Sequence, residues 1–188
     1  MQKLVIASGN LGKIKEFQAI LSNYDLIKQI DFNTPEVVES GLSFVENAIL
    51  KARNAAKFSN LPAIADDSGL CVDGLGGNPG IYSARYSGGD DEDNIDKLLQ
   101  KLQGVKNRSA SFYCAIAMVK SFDDPTPVIA TANWEGVILT TRVGKNGFGY
   151  DSIFFVPEFG KSSAELLSQE KNQISHRAKA LRQLTKLL

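Results

Sequence analysis

Lys3-Leu4-Val5-Ile6-Ala7-Ser8 is a short apolar run, and Gly9-Asn10-Leu11-Gly12-Lys13 leads from it directly into a segment where Ile14, Phe17 and Leu21 recur at helical spacing. A run of that length bounded by glycine reads as a buried strand, and a recurrence three and four residues apart reads as a helix with one buried face. Strand, glycine turn and helix in succession mark an α/β chain. A sheet flanked by helices is therefore the expected architecture.

The rest of the chain carries the same alternation. Ser43 followed by Glu46 is a capping box that opens a helix extending to about residue 57. An apolar strand over 63–66 comes next and ends in a polar turn, Asp67-Ser68-Gly69. The glycine-rich segment 74–89 around Ile81-Tyr82-Ser83-Ala84-Arg85-Tyr86 reads as an ordered excursion. Ile95, Leu98, Leu99 and Leu102 mark another helix, and the acidic run Asp90 to Asp93 ahead of it complements the helix dipole rather than forming a metal site. Strands at 111–119, 128–134 and 137–141 suggest an antiparallel meander, followed by a strand at 153–156 and helices at 164–171 and 175–187.

Composition limits the function classes. With 188 residues, 43% of them hydrophobic, the chain suits one domain over 1–188, two-lobed at most. Twenty-one Lys plus Arg balance twenty-one Asp plus Glu, so no global field attracts nucleic acid or an anionic membrane, and any anion site is local. The apolar runs are far below the roughly 20 residues a membrane span needs, and no signal peptide is read at Met1-Gln2-Lys3. Cys71 and Cys114 lack metal-ligand or redox spacing and read as buried free thiols. The expected compartment is the cytoplasm.

Four segments could carry chemistry. Ser8-Gly9-Asn10-Leu11-Gly12-Lys13 presents backbone N–H groups, a positive helix end and a full charge to an anion, but its spacing is not that of a Walker A loop. Asp66-Asp67-Ser68-Gly69 puts two carboxylates at the end of a buried strand, where polar residues serving a ligand in an α/β sheet are found. Strand alternation turns those two side chains to opposite faces, so only one of them meets a given site. Glu39 is a candidate second metal carboxylate. Lys171, Arg177, Lys179, Arg182 and Lys186 make the C-terminal stretch basic, and Ser175-His176-Arg177 opens its last helix. Gly147-Phe148-Gly149-Tyr150-Asp151 offers aromatic faces beside glycines, a pattern suited to stacking against a flat base. Each segment alone also has an ordinary reading: a solvated lysine, a polar turn, a dipole-complementing helix end, a hairpin.

In this order, the segments resemble the inosine triphosphate pyrophosphatase family, also called the Ham1 family, in its bacterial form. The resemblance runs almost end to end and also includes Phe44-Val45-Glu46-Asn47-Ala48 with Lys51-Ala52, Leu75-Gly76-Gly77-Asn78-Pro79-Gly80, Ser83-Ala84-Arg85-Tyr86 and Glu170-Lys171-Asn172. Ser8 stands where the family commonly has Thr, and Ser152 where Pro is common.

The resemblance implies a two-lobed α/β domain with a central mixed twisted sheet and its active site in the cleft between lobes. It implies Mg2+-dependent hydrolysis of noncanonical purine nucleoside triphosphates (ITP, dITP, XTP) to the monophosphate and pyrophosphate by a homodimer that keeps deaminated purines out of DNA and RNA. On this reading Asp67 is the proton acceptor and, with Glu39, a Mg2+ ligand. Ser8 to Gly12, Lys13, Lys51 and Lys171 hold the triphosphate, and Ser68 positions nucleotide or metal. Phe148 stacks on the base, while Gly149, Tyr150, Asp151, His176 and Arg177 line its pocket, with Arg177 donating to O6 and Asp151 accepting from N1–H. Two competitors remain: a nucleotide-binding module without turnover, and a pyrophosphatase of the Maf type acting on pyrimidine or modified nucleotides.

Overall fold

A computed structural model describes residues 1–188. The elements in chain order are β1 (Gln2–Ile6), α1 (Leu11–Ile20), β2 (Tyr24–Lys28), α2 (Phe44–Ser59), β3 (Ala63–Val72), α3 (Asp91–Lys101), β4 (Ser109–Val119), β5 (Val128–Ile138), β6 (Phe154–Val156), β7 (Lys161–Ser162), α4 (Ser168–Ile174) and α5 (His176–Thr185). The seven strands form one sheet in the order β2-β1-β3-β4-β5-β6-β7. β1 runs parallel to β2, with Val5 opposite Ile27, and parallel to β3, with Val5 opposite Ala63. β6 is antiparallel to both β5 and β7, so the sheet is mixed, as the family resemblance implied.

The chain divides into two compact units, one comprising 1–67, 114–132 and 177–188 and the other 68–113 and 133–176. Each has its own core. In the first, Leu4 and Ile6 of β1, Ile64 of β3 and Ile116 of β4 pack with Phe17 of α1 and Leu181 and Leu184 of α5. In the second, Leu70, Ile95, Leu98, Phe112, Trp134 and Phe154 form the centre. No helix is long and apolar enough to cross a membrane.

The local signals behave as their chemistry dictates. Asn10 caps α1 by accepting the Lys13 N–H at 3.1 Å, and Ser43 caps α2 by accepting the Glu46 N–H at 3.3 Å. The acidic run is a helix start: Asp90 Oδ1 accepts from the Glu92 and Asp93 amides at 2.9 and 3.1 Å, and Asp93 Oδ2 accepts in return from Asp90 N–H at 3.2 Å.

Three expectations are corrected, and one strand was not anticipated. Asp67-Ser68-Gly69 is not a turn, because β3 continues through it to Val72. β5 is one strand rather than two: Gly136 does not turn the chain but allows Phe154 and Phe155 to approach, since a Cβ there would lie 2.5 Å from the Phe154 ring and from Phe155 O. The helix expected from 164 begins only at Ser168, preceded by a single 3-10 turn over Ser163–Glu165. β2 carried too little alternation to be read; pairing along β1 makes it a strand.

Candidate active site

β3 separates its two acidic neighbours by the alternation of a pleated strand. Asp66, 2% exposed, accepts from Arg177 Nε and pairs with Lys13 Nζ, both at 3.1 Å. Burial alone would push its carboxyl up, but Lys13 and Arg177 outweigh that and hold it well below the usual carboxylate range. Arg177, also 2% exposed, completes the group with an ion pair to Glu16 of α1. Lys13 and Glu16 lie one helical turn apart on α1, so a single helix delivers one cation and one anion to the same buried group.

Asp67 faces a different set. Lys51 Nζ donates to Asp67 Oδ1 at 2.7 Å and to Glu39 Oε1 at 2.8 Å, so one ammonium gathers two carboxylates. Burial pushes the Asp67 carboxyl above the usual aspartate range; Lys51 pulls against this and Glu39 adds to it. The Lys51 ammonium is penalised by burial too, but Asp67 and Asp66 more than offset that and raise its pKa.

The segment bearing Glu39 lies along α2, fastened by side chains at helical spacing. Asn54 Nδ2 donates to Pro35 O at 2.8 Å, Lys51 reaches Glu39, and the Gly41 N–H donates to Asn47 Oδ1 at 2.9 Å. Asn47 is fully buried, and its Nδ2 donates to Asp67 Oδ2 at 3.3 Å.

The turn before α1 is exposed at Gly9, Asn10 and Leu11, and Ser8 Oγ accepts the Asn10 N–H at 3.2 Å. Gly12 belongs to the first turn of α1 rather than to the loop. Ser68 follows Asp67 within β3.

The second unit holds the aromatic segment. Phe148 and Gly149 are half-buried, and Lys171 Nζ sits 5.0 Å above the Phe148 ring. Asp151, 3% exposed, fixes that arrangement: its Oδ2 accepts from Lys171 Nζ at 2.5 Å and from Phe148 N–H at 2.9 Å, and its Oδ1 from Ser163 Oγ at 2.9 Å. Gly147 has φ +81, and a Cβ there would come within 2.0 Å of Asp151 Oδ2, so the loop closes only around glycine. Asp91 of α3 accepts the Gly149 N–H at 2.9 Å and anchors the other side. Tyr150 donates to Ser83 O at 2.9 Å, and burial pushes its phenol up. His176 stacks on Phe112 at 4.9 Å with an interplanar angle of 11°.

The expected residues thus gather in two sets. Lys13, Lys51, Asp67, Glu39 and Arg177 belong to the first unit, and Phe148 to Asp151, Lys171 and His176 to the second. The two residues expected to read the base have partners within the chain: Asp151 accepts from Lys171, Ser163 and the loop backbone, and the Arg177 guanidinium faces Asp66 and Glu16. Glu16, Asn47, Asp91 and Ser163 were not anticipated. A signal for Asn47 was present, because Asn47, Lys51 and Asn54 recur at four and three residues on a helix whose buried positions are otherwise alanine.

The Glu39–Asp67 pair also meets the demands of the Mg2+ that the resemblance implies. It is an all-oxygen donor pair, both carboxylates lying within 2.8 Å of the one Lys51 ammonium that draws them together. A hard divalent ion that brings phosphate and water oxygens needs only one or two such carboxylates.

The Ham1 family model matches residues 4–187. The chain is 52% identical over 194 residues to a protein of Vibrio cholerae named dITP/XTP pyrophosphatase, covering 100% of this chain and 97% of that one. It is also 52% identical over 190 residues to the Escherichia coli K12 protein of the same name, covering 98% and 96%. Among solved structures, a HAM1 protein from Coxiella burnetii superposes with a TM-score of 0.93 at 47% identity, covering 100% of this chain and 98% of that one.

Proposed function

This chain belongs to the Ham1 family, and from that membership we propose that it hydrolyses noncanonical purine nucleoside triphosphates (dITP, XTP and ITP) to the monophosphate and pyrophosphate. One observation carries the reading: the Lys51 ammonium that draws Glu39 and Asp67 together. A site that only bound phosphate would gain nothing from two carboxylates beside its ligand, whereas a hydrolase needs a proton acceptor and a seat for a cation.

The first unit supplies the charge for phosphate and the base for water. Lys13, Lys51 and backbone amides of residues 8–12 bind phosphate oxygens, which point cations and backbone donors suit. Asp67 takes the proton of the water that attacks the α-phosphorus. The bond from that phosphorus to the bridging oxygen breaks, and pyrophosphate leaves. A carboxyl pushed up by burial is a stronger base than an exposed aspartate, which favours this transfer. Asp67 and Glu39 are the residues to hold Mg2+, which when bound neutralises charge on the phosphate oxygens.

The second unit supplies the base platform. Phe148 stacks on the purine, with Lys171 held beside it by Asp151, and Gly149, Tyr150 and His176 form the rigid surround. Ser68 positions nucleotide or metal, and Arg177 is placed at the base pocket by the resemblance alone.

The reading includes a homodimer working in the cytoplasm to keep deaminated purines out of DNA and RNA, with the segment 79–89 at or near the subunit interface. Tyr82, 52% exposed with the Arg85 guanidinium 5.2 Å over its ring, supports that placement. A monomer in sedimentation velocity at micromolar concentration would overturn it.

The deciding assay incubates the protein with Mg2+ and dITP, XTP, dTTP, UTP or GTP and measures pyrophosphate against orthophosphate. Pyrophosphate from dITP and XTP far above the others is the expected result. Release from dTTP or UTP instead would shift the assignment to a Maf-type enzyme, and nucleotide binding without release would make the protein a sensor.

A further inference from the structure

Asn47 bonds at once to Asp67 and to the backbone of the segment carrying Glu39. Its carboxamide is fully buried, a costly place for a polar group unless both its ends are satisfied. Both are: Oδ1 accepts from the Gly41 N–H at 2.9 Å, and Nδ2 donates to Asp67 Oδ2 at 3.3 Å. We infer that Asn47 is a positioning residue that sets the Glu39–Asp67 pair in register for a divalent cation, an inference that rests on the metal reading above.

Three observations argue for register rather than for packing. Lys51 alone is a poor ruler, because an ammonium on a four-carbon stem accommodates two carboxylates in many arrangements, whereas an amide fixes direction at both ends. Asn47 acts on Glu39 through the backbone two residues away, so it sets where that side chain starts rather than competing for its oxygens. The contact is also too close for anything larger than glycine, since a Cβ on residue 41 would lie 2.6 Å from Glu46 Cβ and 2.7 Å from Asn47 Oδ1. The next two links are equally tight: Leu42 N–H donates to Glu46 Oε2 at 2.9 Å, and Ser43 Oγ donates to the same oxygen at 2.9 Å. Glu46 thereby holds the backbone just after Gly41 while Asn47 holds the Gly41 N–H itself, so the segment leading back to Glu39 is fixed where it meets α2.

Partners that orient ligating carboxylates typically change metal affinity by about 10- to 100-fold when removed. The test compares wild type with two variants that break the same link from opposite ends, Asn47→Ala and Gly41→Ala. The second leaves the carboxamide intact and pushes the segment off it. Binding of Mn2+ alone, read by electron paramagnetic resonance without nucleotide, gives the metal affinity. Kinetics with dITP give the half-activating Mg2+ concentration and, at saturating Mg2+, KM and kcat. Melting temperatures without metal report on folding.

Both variants should weaken Mn2+ binding and raise the half-activating Mg2+ concentration by about tenfold or more, with KM at saturating Mg2+ within about twofold of wild type. Unchanged Mn2+ affinity in folded Gly41→Ala overturns the inference even where Asn47→Ala is unstable. A rise in KM that matches the loss of metal binding likewise assigns Asn47 to packing. The outcomes separate from those of the proposed function: a wild type that binds Mn2+ but releases no pyrophosphate defeats that function and leaves the clamp standing, whereas a wild type without Mn2+ binding defeats the metal site and the clamp together.

Discussion

Asp66 and Asp67 are consecutive residues of β3 that answer to different cations, Asp66 to Lys13 and Arg177 and Asp67 to Lys51. The first carboxyl is held below its ordinary range by two charges that outweigh its burial, and the second is pushed above it because burial and Glu39 outweigh Lys51. The same residue type on the same strand is thus held as an anion on one face and pushed toward its protonated form on the other.

Asp66→Asn and Asp67→Asn should therefore fail in different ways. Removing the Asp66 charge leaves Arg177 and Lys13 short of a buried partner and should cost about 3 kcal/mol, roughly 6–12 °C in Tm for a chain of this size. Asp67→Asn should leave Tm no lower, since the ionised Asp67 is itself disfavoured by burial, while kcat falls by about 100-fold or more. Thermal unfolding beside steady-state kinetics checks both. Equal catalytic loss at equal melting temperature would undo the assignment of roles.

Acid should narrow the first of these differences. The Asp66 carboxyl in the folded chain titrates below its unfolded value of about 3.9, so its contribution is present above that pH and is lost as pH falls through and below it. Urea unfolding of wild type and Asp66→Asn in metal-free buffer should show the largest stability gap near neutrality and a shrinking gap from about pH 5 to pH 3. A gap that widens on acidification contradicts the sign.

The three lysines should separate by what they leave behind. Lys13→Ala, Lys51→Ala and Lys171→Ala should each raise KM and weaken the salt dependence of nucleotide binding. Lys171→Ala should also lose about 3 kcal/mol of stability, because Asp151 is then buried without its cation, whereas Lys13→Ala leaves Asp66 its Arg177. Unchanged kinetics in Lys13→Ala and Lys51→Ala would remove their triphosphate role, and in Lys171→Ala its place beside the nucleotide.

Phe148→Ala should raise KM for dITP by roughly 5- to 150-fold, the range expected for losing about 1–3 kcal/mol of base stacking. Phe148→Trp should recover most of that loss. An alanine variant with wild-type KM means the base is held elsewhere.

Much of the fold was legible because its signals are short-range. The apolar run before Gly9, the Ser43–Glu46 cap and the acidic start of α3 are each decided by atoms within a few residues, so one-dimensional spacing carries them. The failures lie where a neighbour outside the sequence window decides. Gly136 reads as a turn until the Phe154 ring is seen against it, Asp67-Ser68-Gly69 as the end of a strand that in fact continues, and β2 as nothing until β1 pairs with it.

The candidate site divides along the same line. The order of residues along the chain set which side chains were available and, through the period of a strand, that Asp66 and Asp67 would face apart. Which cation each one meets is set in the folded chain, because Asp66 and Arg177 are 111 residues apart and Lys51 and Asp67 are 16 apart. Partner choice among buried charges depends on distance and desolvation in the folded chain, neither of which exists along the sequence.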